Sequence, residues 1–355
     1  MRFLINGRFL NKPLAGVARV GQEMLRALLA EMADMAPAER PRAAIAAPPG
    51  VSVANAAQAG VGVVRGPGGL IGEQVRLPWI APGATVLSFA NSTPLLAWKS
   101  IVWIHDAHVF EAPESYSRFY RLWHQNMLRL CALRGFEIVT VSNYSREALI
   151  AHGARPAKTT VIYNGGDHIL RDPADRSALT ANGLSPGRFV LLVGSRAQHK
   201  RLPFAVEALS RHLPQDIQIA VVGLGQKGAY AGEGGLSADA RVKILPMLSD
   251  AQLRALYEAA GCVAIPSVLE GFSLPAAEAM WCGAPLVLCN RTALPEVGGP
   301  AALFFEADDA AGLAARVQES FDPAVRARLS TAALQQREKF CWRASARQLI
   351  EQFLT

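Results

Sequence analysis

Hydrophobic residues gather along this chain in short runs, and longer stretches between them repeat an apolar residue every three or four positions. The runs are rich in Val, Ile, Leu, Phe and Ala and are bounded by Gly, Pro, Asn and Asp, which reads as buried strands. In the first half they are Phe3–Ile5, Ala43–Ala47, Val61–Val64, Thr85–Phe89, Ile101–Ile104, Ile138–Val141 and Thr160–Tyr163. In the second half they are Phe189–Val193, Ile217–Val222, Val242–Leu245, Cys262–Pro266, Leu286–Cys289 and Ala302–Phe305. Helical spacing marks Val17–Met35, Tyr116–Leu133, Leu202–Leu213, Ala251–Ala260 and Pro275–Trp281. Strand and helix alternating in this way predict an α/β chain with parallel sheets covered on both faces. The alternation occurs twice. It predicts two Rossmann-like, doubly wound domains, 1–170 and 189–341, facing a central cleft and joined by a polar, Pro/Gly-bearing linker at 171–188. Ligands of such sheets sit beyond the C-terminal ends of the strands, so the loops there should carry the chemistry.

Composition narrows the setting. A length of 355 residues suits two domains, and 51% hydrophobic against 18% charged residues excludes a disordered chain. Cys131, Cys262, Cys282, Cys289 and Cys341 form no CxxC pair and are odd in number, against a disulfide framework or zinc site and for a reducing, cytoplasmic location. No apolar run approaches the ~18 residues of a membrane span. The first apolar run is also too short for the core of a signal peptide. A soluble or peripheral protein is expected. The net charge of +7 points to partners bearing phosphate: a nucleotide, an anionic membrane face or nucleic acid.

Several loops stand out. Pro266 to Met280 reads as a strand end, a turn through Glu270, Gly271, Phe272 and Ser273, and a helix opened by Leu274-Pro275. Such a helix start suits a diphosphate. Glu278, one turn in, can reach a ribose diol, and Glu270 can address sugar hydroxyls. Val193 to Arg201 leaves a strand and brings Arg196, His199, Lys200 and Arg201 close to a helix start, where cations neutralise a departing diphosphate. His105-Asp106 follows a buried strand, with Asp106 expected to orient the loop. Gly16 precedes the first long helix and allows close backbone approach. Gly223 to Gly228 matches GxGxxG, but a glycine-rich loop follows where a dinucleotide fold needs a helix, so NAD binding is not expected. No DxD sits in a strand-end loop, and Asp308-Asp309 reads as a helix cap.

The Glu270 to Glu278 segment resembles the E-x7-E signature of glycosyltransferase family 4, whose fold class is GT-B. Val221–Gly225, Ser249–Ala259, Gly283–Val287, Leu294–Val297 and Phe304–Asp308 resemble that family in order and spacing, and the likeness covers nearly the whole chain. Asn91 to Pro94, Glu73-Gln74, Val141 to Ser145 and Asn164-Gly165 are family-like as well. The resemblance implies a last helix, 342–355, returning to the first domain after Phe340 to Arg343. It implies a retaining hexosyltransferase that needs no metal and no cofactor. Lys200 matches the family's phosphate-binding lysine, although the loop reads His199-Lys200-Arg201 where the family has Arg-Lys-Asn. His105 matches the acceptor-side histidine. Gly16, Arg196 and Gly271 through Leu274 would join Glu278 on the donor. The implied partners are a nucleoside-diphosphate sugar, GDP-mannose leading, and a lipid-linked saccharide or polysaccharide precursor at the inner membrane face.

Three rivals stay open. Another enzyme of the fold class, such as a sugar-nucleotide epimerase or a phosphorylase, would need cleft acids that are not visible. A silent sugar-nucleotide-binding scaffold is opposed by intact Glu270, Glu278, Lys200 and His105. A nucleic-acid binder is hinted at only by Tyr116–Arg134, and no nucleic-acid partner is expected. In that helix Tyr116, Phe119, Tyr120, Trp123, Met127 and Leu130 share a face expected in the core, leaving Arg118, Arg121 and Arg129 to meet anionic headgroups. His108 and His124 are expected as surface or packing residues.

Overall fold

The computed structural model of the protein describes residues 2–14, 16–223 and 239–354. The GxGxxG stretch beyond Gly223 lies outside the described residues. The chain divides into two compact units, one running to Asn164 and resuming at Trp342, the other spanning Gly165–Cys341.

The first unit is built on seven parallel strands: β1 (Phe3–Asn6), β2 (Ala43–Ala47), β3 (Gly62–Arg65), β4 (Thr85–Ser88), β5 (Lys99–Trp103), β6 (Glu137–Thr140) and β7 (Thr159–Val161). Their order is β3-β2-β1-β4-β5-β6-β7. The register pairs Leu4 with Ala44 and Val86, Ser88 with Val102, and Val102 with Ile138, so these side chains share one face. Leu77 and Ala97 cover one part of that face, and Met127, Leu128 and Cys131 another. On the other face lies helix Gly16–Asp34, against which helix Trp342–Leu349 packs. Arg343 and Arg347 both pair with Glu31 there, which ties the chain's end to its first helix.

The second unit holds β8 (Phe189–Val193), β9 (Gln218–Val222), β10 (Val242–Leu245), β11 (Cys262–Ile265), β12 (Leu286–Cys289) and β13 (Ala302–Phe305). The order β10-β9-β8-β11-β12-β13 is all parallel and reverses direction between β8 and β11. Gly223 is needed at the end of β9. Its φ is +102°, and a Cβ there would lie 1.8 Å from the Gly194 carbonyl oxygen.

Two expectations change. Residues 171–188 do not hang free as a linker. Asp175 N donates to the Ala251 carbonyl, and Arg254 Nη1 donates to the carbonyls of Leu170 and Asp172, so this stretch is part of the second unit. The long aromatic helix begins at Arg118, capped by Ser117, and buries only part of the expected stripe. Of that stripe Met127 is buried and Trp123 half-buried against the core, joined by Leu128, Cys131 and Ala132, while Phe119, Tyr120 and Leu130 are exposed. The periodicity was right but the packed arc is rotated and lies mainly in the second half of the helix.

Candidate active site

The reversal between β8 and β11 opens a crevice at their C-terminal ends, the place where open parallel sheets bind ligands. Both predicted loops arrive there. The loop after β8 runs through a short turn, Gln198–Lys200, and the loop after β11 leads into helix Leu274–Trp281. Val268 N donates to the His199 carbonyl at 2.9 Å, which joins the two loops. Lys200 Nζ then donates to Glu270 Oε1 at 2.7 Å. Glu270 is nearly buried, whereas Lys200 keeps part of its ammonium open to solvent. A lysine has three donors, so this pairing leaves room for a ligand oxygen.

Backbone strain concentrates around this pair. Arg201, Ser273, Thr292 and Asp308 all have positive φ without being glycine. Each such residue costs roughly 1–2 kcal/mol, and clustered strain marks functional sites. Ser273 (φ +87°) takes a left-handed conformation just before the helix, and its buried hydroxyl has no hydrogen-bond partner. Thr292 Oγ1 accepts from Glu270 N at 3.0 Å, and Arg201 is ion-paired to Asp308. Asp309 caps the next helix by accepting from Gly312 N, as expected. Arg196 is exposed on the same loop. Phe272 turns inward onto Phe340, ring centroids 5.3 Å apart, so only its backbone could meet a ligand.

Glu278 sits deeper than a ribose contact alone requires. His168 Nε2 donates to its Oε1 at 3.1 Å and Tyr257 OH to its Oε2 at 2.9 Å. Both donors are buried, and neither was legible in the sequence: His168 lies 110 positions away. Gly166 makes this possible. A Cβ there would come within 2.5 Å of the Ala277 backbone, so only glycine lets the His168 loop lie against the helix bearing Glu278.

In the first unit His105 follows β5 and is 5% exposed. Its Nε2 donates to the Phe89 carbonyl at 2.9 Å, which leaves Nδ1 as the acceptor of the neutral ring. Burial lowers its pKa, outweighing the Phe89 carbonyl and Asp106. Asp106 accepts from His108 N at 3.0 Å and so shapes the loop. Asn91, in the left-handed region, is the hub. Its side chain accepts from His105 N at 2.9 Å and its carbonyl from His124 Nδ1 at 3.2 Å. His124 therefore packs into this cluster, and burial lowers its pKa as well. Tyr116 and Tyr120 stack at 5.3 Å, and Tyr120 lies 4.2 Å from His124. Burial, then the charge of Asp106, pushes both phenols upward. Beneath them Glu73 is buried and accepts from Asn6 at 2.9 Å, Gln74 at 3.0 Å and Ser92, while pairing with Arg8 at 2.6 Å. Gly16, by contrast, opens its helix with φ +48° into open space. Among the described residues no group of three or more His, Cys, Asp or Glu is placed to hold a metal ion.

Residues 187–322 match the family model described as glycosyl transferases group 1. The match falls within the second unit, Gly165–Cys341. Over 268 residues, 72% of this chain and 70% of the relative, the chain is 28% identical to the O-antigen chain mannosyltransferase B of Escherichia coli. It is 34% identical over 166 residues to the D-inositol 3-phosphate glycosyltransferase of Mycobacterium tuberculosis, spanning 44% of this chain but only 34% of that protein. Among solved structures it resembles HepE of Anabaena in complex with UDP and glucose (19% identity, 99% of this chain, 98% of that one, TM-score 0.69). Sucrose-phosphate synthase of Thermosynechococcus elongatus is similar in the same way (17% identity, 99% and 98%, TM-score 0.73). The fold is thus α/β of the GT-B class, and the C-terminal ends of β8 and β11 lie within the residues that match the family model.

Proposed function

We propose that this protein is a retaining hexosyltransferase of family 4, moving a sugar from a nucleoside diphosphate to a saccharide acceptor. The observation that carries this reading is the Lys200–Glu270 pair, 2.7 Å apart at the β8/β11 crevice, beside the strained and unpartnered Ser273 hydroxyl. Lys200 would spend its remaining donors on the diphosphate, and Ser273 would add one more. Glu270 would accept from the sugar hydroxyls, and Glu278, fixed by His168 and Tyr257, would accept from the ribose.

In the transfer itself the acceptor oxygen bonds to the anomeric carbon as the bond from that carbon to the phosphate oxygen breaks. The nucleoside diphosphate leaves with the electron pair, and the hydroxyl proton passes to the departing phosphate. Charge stabilisation at that leaving group is the protein's main contribution. His105 Nδ1, held as an acceptor, suits a hydrogen bond from the acceptor hydroxyl. The mannosyltransferase relative favours GDP-mannose as donor and a lipid-linked or polysaccharide precursor as acceptor.

A thermal-shift screen with GDP-, UDP-, dTDP- and ADP-sugars, followed by a nucleotide-release assay over an acceptor panel, tests the reading. A ligand at about 100 times its Kd adds roughly 2.7 kcal/mol. Stabilisation by one nucleotide class together with acceptor-dependent release supports it, and stabilisation without turnover on any acceptor favours a silent sensor.

A further inference from the structure

Most of the exposed large hydrophobic side chains among the described residues belong to the first unit, and most of those lie on one layer. The sheet register puts the Leu77 and Ala97 packing on the same face as that of Met127 and Leu128. The segments that carry them, 69–80, 94–98 and helix Arg118–Arg134, therefore form one continuous outer layer. Gln74 binds the Thr93 carbonyl at 2.8 Å and Leu95 N at 3.1 Å, and Arg134 donates to the Ala97 carbonyl at 2.7 Å, so the three segments are fastened side by side. Ile71, Val75 and Trp79 recur every fourth residue and point outward, at 81%, 57% and 72% exposure. Leu96, Trp98 and Leu133 continue the patch at 68%, 76% and 73%. The opposite face differs. There helix Gly16–Asp34 is covered by helix Trp342–Leu349 and exposes no large apolar side chain.

The charge of this layer is one-sided. Arg76, Lys99, Arg118 and Arg129 are exposed on it, and the only acid in segments 69–99 and 118–134 is the buried Glu73. An apolar patch whose own segments expose cations and no acid suits the interface of an anionic bilayer: Trp and Leu enter the headgroup boundary while the cations meet lipid phosphates. We propose that this layer of the first unit docks the protein on an anionic membrane surface. Sequence periodicity alone suggested headgroup contact by three arginines of one helix. The structure supplies apolar anchors from three segments, so shallow insertion accompanies charge attraction. This docking is independent of which sugar is transferred, since none of the apolar anchors Ile71, Val75, Trp79, Leu96, Trp98 and Leu133 belongs to the Lys200 or His105 clusters.

The test is flotation with phosphatidylcholine vesicles with and without phosphatidylglycerol, read together with tryptophan emission. The protein binds only the anionic vesicles, detaches near about 0.5 M salt, and its emission shifts to shorter wavelength as Trp79 and Trp98 leave water. The triple variant Ile71→Ser, Trp79→Ser, Trp98→Ser loses binding about tenfold or more, with melting temperature and nucleotide-diphosphate affinity unchanged. Failure of the parent to bind, or equal binding by the triple variant, overturns the proposal. So does a dimer of the parent that the variant dissociates, which would make the layer an interface between copies.

Discussion

Removing the carboxylate of Glu278 separates its two expected jobs. In the folded chain its oxygens accept from His168 Nε2 at 3.1 Å and Tyr257 OH at 2.9 Å, and both donors belong to buried residues. Glu278→Ala strands both, at about 1–3 kcal/mol per buried donor. The vacated space is polar and its rim slightly open, so water can restore part of the bonding. The lower half of the range applies, a net loss of about 2–4 kcal/mol. The ribose contact is additional. A hydrogen bond to a charged group contributes about 1.5–3 kcal/mol, or roughly 10–150-fold in Kd. Urea denaturation reads the first quantity, and calorimetric titration with GDP and UDP, at a temperature where the variant is folded, reads the second. Glu278→Gln should fall between, because its amide oxygen still accepts while its NH2 faces a donor. Stability within about 0.5 kcal/mol of the parent would refute the buried pairing. A destabilised variant with unchanged nucleotide affinity would refute the ribose contact while leaving the pairing intact.

Five further outcomes are expected. Lys200→Ala should weaken nucleotide-diphosphate binding by about 1.5–3 kcal/mol; unchanged affinity by calorimetry would remove Lys200 from the donor site. His105→Ala should cut turnover about tenfold or more with little change in melting temperature, and loss of stability at normal specific activity would make it structural. Since burial lowers the pKa of His105 and His124 from 6.5, the unfolded chain takes up protons first; their contribution to stability is complete above that value and is lost as pH falls towards the folded-state values. A urea midpoint that rises on acidification below 6.5 would contradict this sign. Gly166→Ala should cost about 1–3 kcal/mol and loosen nucleotide binding, because its Cβ would meet the Ala277 backbone at 2.5 Å; a neutral effect in both assays would show that the His168 loop can shift freely. Transfer activity should survive EDTA, and loss restored by Mg²⁺ or Mn²⁺ would point to a metal-assisted leaving group instead.

The order of elements could be read from the sequence because it is set locally. A buried parallel strand needs a short continuous apolar run, and a packed helix needs an apolar arc, so the thirteen strands among the described residues announce themselves within a few residues. The Lys200 and Glu270 loops were legible for the same reason: each directly follows a strand, and sheet topology brings strand ends together. What local pattern could not carry is pairing across distance. His168 and Tyr257 acquire their role only once Gly166 lets one loop lie on another element, and His124 joins His105 only through the backbone of Asn91. Which arc of an amphipathic helix is buried was also beyond the sequence. The stripe through Phe119, Tyr120, Trp123 and Met127 has the correct period for a core, but the core beneath takes up Met127 and part of Trp123 together with Leu128 and Cys131 and leaves Phe119 and Tyr120 outside, so the tertiary fold decides which apolar side chains stay in water.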